Sequence, residues 1–96
     1  MTQIVQEGNC WRVSGPMTVE IANALLEESG ALAMPSEIDL NQVSEVDTTA
    51  ISMLFEWQRK AQAQNNKITF LNLPDNLVSL ARLYGVSDLI PQAASH

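Results

Sequence analysis

Apolar and polar positions change rhythm along the chain, and each change marks an element. Gln3-Ile4-Val5-Gln6 reads as a brief strand, and Glu7-Gly8-Asn9 as a turn, because Gly and Asn accept positive φ. Cys10-Trp11-Arg12-Val13-Ser14 then alternates as the half-buried partner of a hairpin. It is expected to stop at Gly15-Pro16, where proline removes a ladder donor. Thr18 is the expected N-cap of a first helix, with Glu20 in its first turn complementing the helix dipole. Ile21, Ala22, Leu25 and Leu26 recur at helical spacing until Ser29-Gly30. After Pro35, Ser36-Glu37-Ile38-Asp39-Leu40 starts another strand, and the polar run that follows reads as a turn into Asp47-Thr48-Thr49.

The longest helix is expected from Ala50 to about Gln64, a stretch without Gly or Pro that ends at Asn65-Asn66. Lys67-Ile68-Thr69-Phe70-Leu71 alternates as a strand, and Asn72-Leu73-Pro74 turns out of it. Asp75 then caps a third helix whose Leu77, Leu80, Ala81 and Tyr84 share a face, with Gly85 at C′. Asp88-Leu89-Ile90-Pro91 is read as a last short edge strand or turn. The order is β-β-α-β-α-β-α with a possible terminal strand. This predicts an α/β fold with a mixed sheet of four to five strands and three helices packed mainly on one face.

The long helix carries more apolar residues than one stripe needs. Ala50, Met53, Leu54, Trp57 and Ala61 form one helical face; Ile51, Leu54, Phe55, Gln58 and Gln62 form another, overlapping at Leu54. Only one can be centred on a core, so the other is a candidate docking ridge continuous with Thr48. Asp47 or a neighbouring hydroxyl fits a capping role, which satisfies orphan backbone N–H groups. Thr48 is also a candidate phosphoacceptor, since the positive helix end would stabilise a phosphate, although adjacent Asp47 opposes a second negative charge. Tyr84 is expected to pack half-buried with its hydroxyl in water, and Arg82 with Tyr84 forms a second candidate contact pair.

Composition narrows the chemistry. With 96 residues, the chain is expected to form one domain. It is 46% hydrophobic and 17% charged, and its net charge is −6 with only five Lys and Arg, so nucleic acid and anionic lipid are poor partners. No apolar run approaches the roughly 20 residues that span a bilayer, and neither a secreted nor a membrane-inserted chain is expected. The single Cys10 excludes an internal disulfide or a multi-cysteine metal site and is read as an inert buried thiol. The one His96 is read as a tail residue. No catalytic constellation, cofactor motif or metal-ligand set is apparent, and a protein partner fits best.

Val13-Ser14-Gly15 before the first helix, together with Ile38-Asp39-Leu40-Asn41-Gln42-Val43-Ser44-Glu45-Val46-Asp47-Thr48-Thr49-Ala50, resembles the STAS domain. This family was first described in sulfate transporters and anti-sigma factor antagonists, and its strand runs into Asp-Ser/Thr-Ser/Thr/Gly-Gly. The resemblance covers nearly the whole chain in element order, which implies a single STAS domain over residues 1–96; its specific motif is Asp47-Thr48. Thr48 matches the position phosphorylated in anti-sigma factor antagonists. Ala50 stands where the family usually has glycine, and its extra methyl is expected to hinder the close approach of a partner.

Leu80-Ala81-Arg82-Leu83-Tyr84-Gly85-Val86-Ser87-Asp88-Leu89-Ile90-Pro91, with Asn65-Asn66-Lys67-Ile68-Thr69-Phe70, is similar to the small STAS subunits of Mla-type phospholipid ABC transporters. That resemblance implies a non-enzymatic, cytoplasmic accessory that binds the MlaF-like ATPase subunit and, through it, the inner-membrane permease. Asp47, Thr48 and Thr49 at the helix start would then face the ATPase, with Arg82 and Tyr84 as further contacts. Ile51, Leu54 and Phe55 would point inward, leaving Met53 and Trp57 as the exposed ridge. The alternative is an anti-sigma factor antagonist switched by phosphorylation of Thr48.

Overall fold

In the computed structural model, residues 3–90 are described. The elements are β1 (Ile4–Glu7), β2 (Cys10–Met17), α1 (Ala22–Gly30), β3 (Glu37–Val46), α2 (Thr48–Ala63), β4 (Thr69–Leu71) and α3 (Asp75–Leu83), followed by a 3-10 turn at Ser87–Leu89. The sheet runs in the order β1-β2-β3-β4, antiparallel at the hairpin and parallel thereafter. Each parallel step moves one strand in the same direction, so right-handed crossovers put α1 and α2 on the same face. The expected mixed sheet with three helices is therefore present, with four strands among the described residues.

Strand alternation decides which face is covered. Ile4 and Val13, then Trp11, Ile38 and Phe70 in register across three strands, point into the core with Leu40. The opposite phase, Val5, Arg12, Asp39 and Leu71, forms a row on the solvent side. Trp11 and Trp57 meet edge to face inside the core, with ring centroids 5.9 Å apart. Both indoles are satisfied: Trp11 Nε1 donates to the Ala33 carbonyl at 3.1 Å, and Trp57 Nε1 donates to Ser29 Oγ at 2.9 Å. Ser29 passes the interaction on, donating to the Leu26 carbonyl at 2.8 Å. A buried serine on α1 is thus explained by a tryptophan on α2.

Several local expectations give way to long-range contacts. β2 does not stop at Gly15-Pro16 but continues to Met17. Gln3 serves the outer edge there, its carbonyl accepting from Ser14 N–H at 2.8 Å and its amide donating to the Ser14 and Pro16 carbonyls at 2.9 and 3.0 Å. Register shifts against β3, with Gly15 at φ +81°, accommodate the proline as a bulge.

The expected polar turn after Leu40 is instead strand, because β3 runs to Val46. Its second half pairs with Ser14, Gly15 and Met17 and buries Val43, so the polar residues between are solvent-facing strand positions. β4 is shorter than expected, beginning at Thr69, although Ile68 is buried just before it. Pro74 rather than Asp75 is the N-cap of α3, and Asp75 lies in its first turn. At the far end Gly85, φ +70°, donates to the Arg82 carbonyl and Val86 to the Ala81 carbonyl, which is the expected glycine-stopped helix. Ser87–Leu89 is a 3-10 turn, not a strand, while Pro91 and His96 fall outside the described residues.

Candidate functional site

The parallel strands end on one edge of the sheet, and the chain leaves β2 and β3 there side by side, with Met17 paired to Val46. The turn after β2 therefore lies next to the start of α2. Asp47 joins them. One carboxylate oxygen accepts from Thr49 N–H at 2.8 Å, capping α2, while the other accepts from Val19 N–H at 3.1 Å. The Val19 bond, reinforced by those from Thr49, holds the Asp47 carboxyl below the usual carboxylate range against a smaller opposing effect of desolvation.

The same bond explains a further correction. Thr18 does not cap α1; residues 18–21 form a turn, closed by Ile21 N–H to the Thr18 carbonyl at 3.1 Å, and α1 begins at Ala22. Because Asp47 holds Val19 N–H, the chain completes that turn before it enters the helix.

Thr48 is exposed at the head of α2, and Thr49 is half-buried behind it. The outward ridge of the helix continues through Ser52, Phe55, Glu56 and Arg59, which line a shallow groove of about 360 Å³. Ser52 and Arg59 are exposed, Phe55 and Glu56 half-buried, and Glu56 and Arg59 form an ion pair. The steps from Thr48 of four, seven, eight and eleven residues keep this set on one side of the helix.

The expected ridge of Met53 and Trp57 is overturned. Met53 is 1% and Trp57 0% exposed, and both belong to the core with Ala50, Leu54 and Ala61. α2 is rotated so that the tryptophan reaches Ser29 and Trp11, and neither residue is available to a partner. Phe55, expected inward, is half-buried against the core and lines the outer groove. Ala50 is wholly buried, so its methyl points away from any approaching partner and the expected hindrance does not arise.

Arg82 and Tyr84 are not brought to this edge. α3 follows β4, whose last residue Leu71 pairs with Asp39 near the start of β3 and not with the end of β3 at Val46, and among the described residues no hydrogen bond ties Arg82 or Tyr84 to residues 17–19 or 47–49. Tyr84 is exposed rather than half-buried, since α3 ends at Leu83 and the residue leaves the apolar stripe. Cys10 is also not buried: it lies partly exposed on the solvent side of the sheet. Desolvation, then the carboxylates of Asp39 and Glu37, push its thiol pKa up, so the neutral form is favoured by its surroundings.

The positions that sequence reading missed are Val19, Ser52, Glu56 and Arg59. The signal for the last three lay in the polar rather than the apolar residues of α2, which recur at Thr48, Ser52, Glu56 and Arg59. Among the described residues no group of three or more His, Cys, Asp or Glu side chains could hold a metal ion, and no helix is long and apolar enough to cross a membrane.

A mixed four-stranded sheet with Asp-Thr opening its longest helix is the arrangement of a STAS domain. The family model described as "Mlab, STAS domain" matches residues 2–91, and the chain belongs to that family. It is 30% identical over 90 residues to the protein named intermembrane phospholipid transport system binding protein MlaB of Escherichia coli (strain K12), a match covering 92% of this chain and 93% of the relative. The protein of the same name from Shigella flexneri matches to the same extent. Among solved structures, the anti-sigma factor antagonist SpoIIAA in its unphosphorylated form superimposes with a TM-score of 0.64 at 11% identity, covering 98% of this chain and 88% of that one. At that identity the likeness to SpoIIAA concerns the fold.

Proposed function

We propose that this STAS domain is a non-enzymatic binding subunit of an intermembrane phospholipid transport system. It docks on the system's ATPase through the ridge that begins at Thr48, and so stabilises or regulates that ATPase from the cytoplasmic side of the inner membrane. The observation that carries this reading is the exposed Thr48 at the head of α2, continued by the groove of Ser52, Phe55, Glu56 and Arg59. A rigid helix presents this surface without needing to order a loop, which keeps the entropic cost of association low. Likeness to the MlaB proteins over nearly the whole chain supplies the transport context.

Binding of the full chain to the purified ATPase, measured by calorimetry, tests it. Thr48→Glu places a second carboxylate beside Asp47 and is expected to weaken binding roughly tenfold, about 1.4 kcal/mol, with Tm unchanged. Equal affinity for Thr48→Glu and wild type removes this ridge from the interface.

The exposure of the Thr48 hydroxyl also favours a second reading, an anti-sigma factor antagonist switched by phosphorylation of Thr48. Incubation with the cognate kinase and ATP would then add one phosphate that is lost in Thr48→Ala. An unchanged intact mass rejects it.

A further inference from the structure

Val19 is 68% exposed although it is apolar and β-branched, and it is not loosely held. Its N–H is bonded to Asp47 Oδ2, its carbonyl accepts from Ala22 N–H at 3.4 Å, and the turn around it is closed between Thr18 and Ile21. The exposed side chain thus belongs to a turn anchored on Asp47, the residue that precedes Thr48. The exposed charges that flank this junction along the chain are acidic: Glu20 follows Val19, and Glu45 precedes Val46, which pairs with Met17. The nearest cation on the α2 ridge, Arg59, is already paired with Glu56.

We infer that Val19 is a contact residue of the docking surface, seated in an apolar pocket of the ATPase rimmed by Lys or Arg, and that Asp47 is a positioning residue acting through Val19. This rests on the docking reading above and extends the surface from α2 to the turn after β2. One Asp47 oxygen caps α2 at Thr49 N–H and the other holds the turn at Val19 N–H, so both are engaged by backbone groups of this chain. An apolar knob within an acidic rim selects a complementary pocket by shape and charge together, and a preformed turn loses little freedom on binding.

The test measures affinity of the full chain for the purified ATPase together with Tm. Val19→Asp is expected to weaken binding roughly tenfold with Tm unchanged. Val5→Asp serves as the control, because Val5 is also exposed but lies on the open sheet face opposite Arg12; it is expected to leave affinity unchanged. Asp47→Ala is expected to weaken binding and, by uncapping α2, to lower Tm; at a temperature where every variant is folded, the double variant Val19→Asp with Asp47→Ala is expected to lose no more affinity than Val19→Asp alone, because both act on affinity through one contact.

Unchanged affinity in Val19→Asp, while Thr48→Glu still weakens binding, overturns this inference and leaves the docking reading standing. Unchanged affinity in both overturns the two together. Additive losses in the double variant overturn the positioning role of Asp47.

Discussion

The two faces of α2 share one backbone and differ in almost everything else. On the inner face Ala50, Met53, Leu54, Trp57 and Ala61 are each at most 1% exposed, and the single polar atom among them, the Trp57 indole nitrogen, has a bonded partner. On the outer face Thr48 is exposed, and Ser52, Glu56 and Arg59 contribute short or charged side chains to the groove they line with Phe55. The inner face is fixed by volume, since a close-packed interior registers even one lost methylene. The outer face is free to be chosen for a partner. Substitutions on the first should be read in stability and on the second in affinity, and the largest effects belong to the first.

Trp57→Ala breaks the comparison most severely. It removes an indole that is wholly buried against Trp11 and leaves Ser29 without its donor, at a cost of about 3–5 kcal/mol. For a domain of this size that lowers Tm by roughly 12 °C or more in a calorimetric scan. A Tm within about 2 °C of wild type would mean that the helix is rotated otherwise and that Trp57 faces solvent. Under the proposed docking, a loss of ATPase binding in this variant would report the loss of folded protein and not of a contact.

Ala50→Gly is the next step down. Ala50 lies in the first turn of α2, where glycine in place of alanine costs up to about 1 kcal/mol, and the missing buried methyl adds about 0.8 kcal/mol, so chemical denaturation should show a loss of about 1–2 kcal/mol. Under the proposed docking, affinity for the ATPase should stay at the wild-type value because the methyl is buried in the core. A gain in affinity would show that Ala50 does obstruct the partner and would move it to the outer face.

These two residues also show where sequence reading succeeds and where it stops. Features set by neighbours within a few residues were legible: the hairpin turn at Gly8, φ +61°, the cap formed by Asp47, and the glycine stop at Gly85. So was the order of strands and helices that gives the STAS sheet. What failed was decided by distant groups. The polar stretch from Asn41 to Glu45 is strand because β2 pairs with it, and α1 starts late because Asp47 holds Val19. The rotation of α2 was ambiguous because seven of its apolar positions span two overlapping stripes, and the buried Ser29 that receives Trp57 lies 28 residues away on another helix.

At the junction of the two faces, Asp47 predicts a pH dependence. Its folded pKa is below the ordinary value, so its contribution to stability is fully present above the unfolded pKa of about 3.9 and is lost as the pH falls below it toward the folded value. Acid titration of wild type against Asp47→Asn, followed by Trp fluorescence, should show the two stability curves converging below pH of about 4. Parallel curves through that range would show that the bonds to Val19 and Thr49 do not persist in solution.

The smallest effect is expected at Arg59. Its exposed ion pair with Glu56 is worth about 0–1 kcal/mol, so Arg59→Ala should leave Tm nearly unchanged. It does unmask the Glu56 carboxylate on the ridge. If the partner's rim is basic, the ATPase should then associate about two- to threefold faster at low salt, and the gain should vanish near 1 M salt, where screening reaches within about 3 Å. A slower association, or a loss of affinity that persists at high salt, would instead show that the Arg59 guanidinium pairs with the partner and that the partner's surface at that point is acidic. The inner face offers no counterpart to this reversal: there every truncation costs stability, whereas on the outer face removing a side chain can strengthen binding by changing only the charge the partner meets.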